Sequence, residues 1–369
     1  MSRYSHLAYE QLLPAGKERG PSQSVLDPSE NGDHYQPEPS FFEWWYFDVA
    51  LGDGSYLVAI LHSSLYNAID HKPTLDLRYY PRAGAPITAI GRYERTSYRA
   101  ESDRCCVRIG YSQAVHEGNC YRLELHQEPI HAELTFRPTL PGWKAGTGHL
   151  FADPTTNRFF DWVVPLPRAY VEGTLAVDGR QETISGEGYH DHNWGNLYLP
   201  TAFRGWTWGR VLADNWTLIF GDVVGRGPSP PHVTPLMLAC GEEIVLTTNR
   251  ITLTHQDPVR EPRTGRDFSR QLNVATSVGP EIKLMMEARR AMDALDFASL
   301  RPLFGWHPCA RRLGEYAFYL AQNHPPATRI ASWLLGKGSY MRWLADYDLE
   351  LPEYNVSQAG RGMYEVMFL

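Results

Sequence analysis

Phe41-Phe42-Glu43-Trp44-Trp45-Tyr46-Phe47-Asp48-Val49-Ala50-Leu51 is the stretch whose reading decides the fold. Gly52-Asp53-Gly54 follows, a turn that tolerates positive φ, and then Ser55 to Ser64 resumes an apolar run. This is a β-hairpin signature. On a strand, Glu43, Trp45 and Phe47 share one face, and Trp44, Tyr46 and Asp48 share the other. So many successive rings cannot all lie in one hydrophobic layer. Both faces of this strand must be covered, or one must line a cavity. Glu43 is then a carboxyl among rings, costly to bury unless it is hydrogen-bonded or held protonated.

The same punctuation continues outward. Val171–Val177, Asp178-Gly179 and Gln181–Tyr189 read as a second hairpin. Gly205–Leu212, Ala213-Asp214-Asn215 and Trp216–Val224 read as a third. Short apolar runs separated by turn residues are the pattern of an antiparallel all-β protein. The chain is long enough for two domains. The expected architecture is an extended lead-in over residues 1–40, then two tandem lipocalin-like antiparallel β-barrels over 41–198 and 199–369. A short helical decoration is expected in the second. Ile282, Met285, Met286, Ala288 and Met292 stand near helical spacing within Glu281–Leu300, although the first half of that segment also suits a strand. Arg329–Leu335, after Asn323-His324-Pro325-Pro326, reads as a short helix.

Composition narrows the class. Hydrophobic residues make up 43% and charged residues 21%, as in an ordinary globular protein. The net charge of -7, without a basic cluster, argues against a nucleic-acid partner. No apolar run approaches the roughly 18 residues of a membrane span, and the first residues lack the apolar core of a secretory signal. Five irregularly spaced Cys suit reduced thiols and a cytoplasmic location. Aromatics are abundant at 12%, with 11 Trp and 21 Tyr, which suits a wide pocket lined with rings.

Two further stretches carry polar chemistry. In Gly188-Tyr189-His190-Asp191-His192-Asn193-Trp194-Gly195, the two His fall on one face and Asp191 and Asn193 on the other. A metal reading of the His pair lacks a complementary set of ligands. The segment reads instead as a structural polar plug of His190, Asp191, Asn193 and Trp194, whose side chains hydrogen-bond backbone groups. In Gly205-Trp206-Thr207-Trp208-Gly209-Arg210, Trp206, Trp208 and Arg210 line one face, able to stack a planar ligand or shield a cation. No phosphate loop, Gly-x-Gly-x-x-Gly, Gly-x-Ser-x-Gly or Cys-x-x-Cys motif is present, so no nucleotide cofactor or covalent Ser or Cys catalysis is expected.

With Glu43-Trp44-Trp45-Tyr46, Gly188–Gly195 and Gly360-Arg361-Gly362-Met363-Tyr364-Glu365 taken in order, the chain resembles the carotenoid-hydratase/AttH-type lipocalin-like family. Within it, the nearest likeness is to the decalin-forming Diels–Alderases of polyketide biosynthesis. That resemblance implies two barrel-like domains and a pocket for a long apolar substrate, transformed by pericyclic ring closure or by hydration. A [4+2] closure needs only a shaped cavity and a hydrogen bond to an activating carbonyl, hence no cofactor. It leads the sequence reading because no spacing singles out a dedicated acid. A hydratase acting on an isoprenoid would need a carboxylic acid kept neutral by burial, for which Glu43, Asp48 and Asp191 are candidates. A non-catalytic carrier of a hydrophobic metabolite would use the same barrels. The expected catalytic groups are Glu43, Tyr46 and Tyr189. The expected substrate contacts are Trp45, His62, Asn67, Trp206, Trp208, Tyr340 and Trp343, with the pocket between the two halves. The expected partner is a linear hydrophobic polyene, with no metal.

Overall fold

The computed structural model describes residues 26–38, 40–66, 70–153, 156–197, 199–226, 232–277, 279–296 and 338–369. Among the described residues, the first half forms twelve strands: β1 (Phe42–Leu51), β2 (Tyr56–Ser64), β3 (Thr74–Tyr80), β4 (Ile87–Arg92), β5 (Tyr98–Ala100) and β6 (Cys106–Ile109), then β7 (Ser112–Glu117), β8 (Cys120–Gln127), β9 (Ile130–Pro138), β10 (His149–Asp153), β11 (Arg158–Val177) and β12 (Arg180–Gly195). They make one antiparallel sheet in the order β4-β3-β2-β1-β12-β11-β9-β8-β7-β6-β5, with β10 beside β11. After a helical turn at Leu199–Ala202, the second sheet begins. Its strands are β13 (Phe203–Ala213), β14 (Trp216–Gly225), β15 (His232–Val233), β16 (Leu236–Cys240) and β17 (Glu243–Thr248), then β18 (Ile251–Glu261), β19 (Arg266–Thr276), β20 (Lys283–Asp296), β21 (Ser339–Leu351) and β22 (Val356–Phe368). Their order is β17-β16-β14-β13-β22-β21-β20-β19-β18, with β15 on β14.

The three hairpins read from the sequence are β1–β2, β11–β12 and β13–β14. Asp178 and Gly179 both take positive φ, 50° and 75°, as the tight β11–β12 turn demands. Each sheet curls around a core of its own. In the first, Trp45, Phe47, Val49 and Leu51 of β1 pack with Leu57, Leu61, Leu75 and Leu77. In the second, Val211, Leu218, Leu272 and Leu284 pack with Met341, Ala345 and Tyr364. A third core lies between the sheets, where Phe42 and Tyr46 of β1 meet Trp208, Ile219, Tyr340 and Met363. This is why β1 carries rings on both faces: one face fills the first sheet and the other seals it against the second.

Within the segment 281–300, Lys283–Asp296 forms a strand, the alternative its first half allowed, and not a helix; residues 297–300 lie outside the described residues. Ile282, Leu284, Met286 and Ala288 alternate as buried positions with period two. Register shifts between Ala288 and Arg290, and again between Ala291 and Asp293, then change the phase of the alternation. Two bulges in succession imitate a 3.6-residue period. Arg329–Leu335 lies outside the described residues. No helix of the described residues is long and apolar enough to cross a membrane.

Candidate functional site

β1, β11 and β12 of the first sheet and β13, β14 and β22 of the second enclose a cleft of about 600 Å³, including its open mouth. Its aromatic walls are Trp44, Tyr46, Phe160, Trp162, Trp206 and Trp208; its polar groups include Asp191, Asn193 and Glu365. The pairing of β1 with β12 sets Tyr46 opposite Asp191, and Trp44 opposite Asn193. The pairing of β13 with β22 sets Trp208 opposite Glu365. The sheet registers thus carry residues far apart in sequence into one cavity.

Asp191 is the best-connected polar group of the cleft. Its Oδ2 accepts from Tyr189 OH at 2.8 Å and from Trp162 Nε1 at 3.3 Å, and its Oδ1 accepts from Asn193 Nδ2 at 2.8 Å. Burial raises its pKa to about 7, against the opposing pull of the Tyr189 and Trp162 hydrogen bonds, with Glu365 and Asp48 adding to the rise. Beneath the cleft, Tyr46 OH donates to Asp48 Oδ2 at 3.1 Å. Asp48 Oδ1 forms a buried ion pair with Arg210 Nη2 at 2.6 Å, joining the two sheets. On the far wall Glu365 Oε2 accepts from Tyr340 OH and from Arg342 Nη2, the latter at 3.3 Å. Arg342 also lies 5.4 Å from the centroid of the Tyr46 ring.

The structure separates the residues singled out from the sequence. Tyr46, Trp206, Trp208, Asp191 and Asn193 line the cleft. Tyr189 touches it through Asp191, and Tyr340 through Glu365. His62 is buried beside Trp44, ring centroids 6.3 Å apart, and burial pushes its pKa down to about 4. Glu43 and Trp45 lie on the opposite face of β1 from Tyr46. Glu43 accepts from the His34 backbone N–H at 2.7 Å and from Ser63 Oγ, and meets His192 Nε2 at 3.3 Å. Trp45 stacks on His192 with ring centroids 4.5 Å apart. Trp343 packs against the core of the second sheet instead of the cleft. These three therefore stand apart from the cavity, because strand alternation turns Trp45 and Trp343 into the sheets' own cores and Glu43 toward the lead-in. Asn67 lies outside the described residues.

The histidines of the plug also face away from the cleft. His190 Nδ1 meets Tyr46 O at 2.9 Å and its Nε2 meets Asn31; His192 Nδ1 meets Glu30 O at 3.1 Å. The described part of the lead-in covers this face, with His34 stacked on Trp194 at 4.1 Å. Burial holds both His190 and His192 well below the usual imidazole range, so both are neutral. Burial raises the pKa of Glu43 as well, so the His192–Glu43 contact pairs a neutral imidazole with a carboxyl whose neutral form is favoured. Among the described residues, no three His, Cys, Asp or Glu side chains converge as a metal site requires.

Sequence reasoning did not assign Trp44, Phe160, Trp162 or Glu365 to the pocket, nor Arg342 to its place beside Glu365. Trp44 was visible on the same face as Tyr46, and Glu365 closes the terminal Gly360–Glu365 stretch. The others carry no local signal.

The model of the AttH-like family matches residues 87–301, more than half of the chain. The chain belongs to the AttH-like family. It is 26% identical to hydroxyneurosporene dehydrogenase of Chlorobaculum tepidum, over 56% of this chain and 62% of that protein. It is 25% identical to acyclic carotenoid 1,2-hydratase of Thiocapsa roseopersicina, over 55% of this chain and 53% of that one. The matched part therefore spans less than two thirds of either relative. Among solved structures, an AttH-type protein from Nitrosomonas europaea superposes with a TM-score of 0.62 at 16% identity, covering 94% of this chain and 97% of that one. CghA with bound Sch210972 gives a TM-score of 0.62 at 13% identity, covering 95% and 98%. These likenesses bear out the lipocalin-like all-β fold and relate this AttH-like chain to enzymes.

Proposed function

We propose that this AttH-like protein is an acid catalyst acting on a double bond of a hydrophobic small molecule, with hydration as the leading reaction. One observation carries this reading: Asp191, a buried carboxyl with a pKa of about 7, lines an aromatic cleft. Two donors hold Oδ2 and one holds Oδ1, so Oδ1 is the oxygen better placed to carry and deliver a proton. Protonation of an alkene leaves a carbocation on the neighbouring carbon. The faces of Trp44, Trp206 and Trp208 are suited to shield it, and water then captures it. The carotenoid hydratase among the relatives supports the same reading.

The sequence ranked pericyclic closure first because nothing in the spacing favoured one acid over another. The cleft favours Asp191, and this moves proton transfer ahead. Ring closure stands as the second reading on the same observation. A neutral Asp191 can hydrogen-bond a substrate carbonyl, and the walls can hold a polyene in a folded shape. We take the two sheets as domains 41–198 and 199–369, with the substrate between them.

The test is incubation with acyclic polyenes, lycopene first, followed by mass spectrometry. A gain of one water identifies hydration; unchanged mass with a new retention time identifies cyclisation. Asp191→Asn, which has no acidic proton to deliver, should abolish hydration while remaining folded; because its amide still donates a hydrogen bond, Asp191→Ala is the variant that should slow cyclisation. A folded Asp191→Asn protein that hydrates the polyene as the parent does, or an Asp191→Ala protein that cyclises it as the parent does, removes Asp191 from that reaction.

A further inference from the structure

We infer that Glu365 is the second catalytic group of the cleft, a base ion-paired to Arg342 and facing the acid from the opposite sheet, and that the cleft consequently selects ligands with a cationic centre. This rests on the reading of Asp191 as the acid. The geometry behind it is independent of that residue's titration. Asp191 enters the cleft from β12 and Glu365 from β22, on walls that belong to different sheets. A ligand between the sheets therefore has one carboxyl on each side.

The two carboxyls have opposite surroundings. Asp191 accepts only from neutral donors, Tyr189, Trp162 and Asn193. Glu365 is ion-paired to Arg342, itself 3% exposed, and also accepts from Tyr340 OH. Both of these contacts are to Oε2; among the described residues none is to Oε1, the oxygen we assign to a group in the cleft that Glu365 lines. Arg342 is held in turn by Tyr80 OH at 3.3 Å and by Asp293 at 3.7 Å, so the base is fixed by a buried network. Two carboxyls whose environments differ in this way divide into acid and base.

The chemistry balances. The alkene π pair forms a C–H bond with the Asp191 proton, leaving Asp191 a carboxylate and the adjacent carbon a cation. A water lone pair forms the C–O bond to that carbon, and the water proton passes to Glu365 Oε1. Return of a proton from Glu365 to Asp191 through solvent resets the site, and the net reaction is alkene plus water to alcohol. Between the two steps the cation sits beside two carboxylates, with Trp208, the pairing partner of Glu365, on the same wall.

A cation mimic tests this without knowledge of the substrate. N,N-dimethyloctylamine, protonated at about pH 6, and the neutral 1-methoxyoctane are titrated by quenching of the cleft tryptophans. The proteins are the parent, Glu365→Gln and Asp191→Asn. The parent should prefer the ammonium. Glu365→Gln should lose about tenfold or more of that preference while binding the ether as before, and Asp191→Asn should keep it. Where the parent converts lycopene, Glu365→Gln should lower kcat by about 10²- to 10⁴-fold at nearly constant KM. An unchanged preference in Glu365→Gln, no preference in the parent, or equal loss of both ligands overturns the inference. So does an unchanged kcat. Preference lost in Asp191→Asn yet kept in Glu365→Gln would place the charge on Asp191, which removes the neutral-acid reading too.

Discussion

Tyr189 and Asp191 stand two residues apart on β12, and the Tyr189 hydroxyl donates to Asp191 Oδ2 at 2.8 Å. Strand alternation sends both side chains to one face, toward the second sheet, while His190 and His192 point the other way. One short stretch thus builds two things. Its His face anchors the lead-in, and its Tyr-Asp-Asn face supplies the polar groups of the cleft.

The pH dependence of stability follows from that burial. Asp191 has a folded-state pKa of about 7 against an ordinary 3.8. Below the lower value both states are protonated and nothing is lost. Between the two, the unfolded chain ionises while the folded one stays protonated, so stability falls as pH rises, by roughly 4 kcal/mol in all. Glu365, Asp48, Tyr189 and Arg210 face this group and set the same field in parent and variant. Asp191→Asn removes the dependence. Relative to the parent, the variant should therefore gain roughly 2–3 kcal/mol between pH 5 and pH 8, measured by urea unfolding. An unchanged difference across that range would mean that Asp191 ionises normally in the fold.

Asp48 and Arg210 form the buried ion pair that ties β1 to β13. Their side chains are 0% and 4% exposed. Removing one partner strands the other's charge, so Arg210→Met should cost about 3–5 kcal/mol. Replacing both, Asp48→Leu with Arg210→Met, should recover most of that loss. Urea unfolding of the two single variants and the double variant forms the cycle. A double variant as unstable as the sum of the singles would refute the pairing.

Much of the fold was legible because its signals are local. Rings on both faces of β1 announce a strand buried twice, and Asp178-Gly179 announces its turn. The segment left ambiguous, Lys283–Asp296, is hard to read for a local reason as well, since two bulges disguise a strand. For the site, alternation already placed Glu43 and Tyr46 on opposite faces of β1. Which face looks into the cleft depends on where the second sheet docks, and no residue of β1 encodes that. Glu365 and Arg342 are further from reach. Their place opposite Asp191 is set by the pairing of β22 with both β13 and β21.

His190 and His192 invite a metal, and their surroundings argue otherwise. The ring nitrogens of both meet partners from the lead-in or from β1. Added zinc should leave the melting temperature unchanged, and so should a chelator. A zinc-dependent rise in melting temperature that His192→Ala abolishes would show that these contacts yield to a metal.

Glu43 gives the sharpest contrast with Asp191, since both are buried carboxyls in motifs that share a strand pair. Glu43 is 0% exposed, and burial, with Asp33 nearby, raises its pKa well above the ordinary 4.5. It faces His34, Ser63 and His192, away from the cleft. Glu43→Gln keeps its size and an acceptor for the His34 N–H and removes the ionisable proton. Its effect should thus appear in stability alone. The raised pKa makes the parent lose stability as pH rises above about 4.3, the usual Glu value in an unfolded chain. The Gln variant escapes that loss, so its melting temperature should fall less steeply toward pH 9 than the parent's. Binding of 1-methoxyoctane in the cleft, and conversion of any polyene the parent accepts, should stay within about threefold of the parent, well under the tenfold that 1.4 kcal/mol represents. Thermal melts across pH and the same quenching titration decide the matter. A folded Glu43→Gln protein that loses turnover by orders of magnitude would put Glu43 in the reaction and move the active site to the other face of β1.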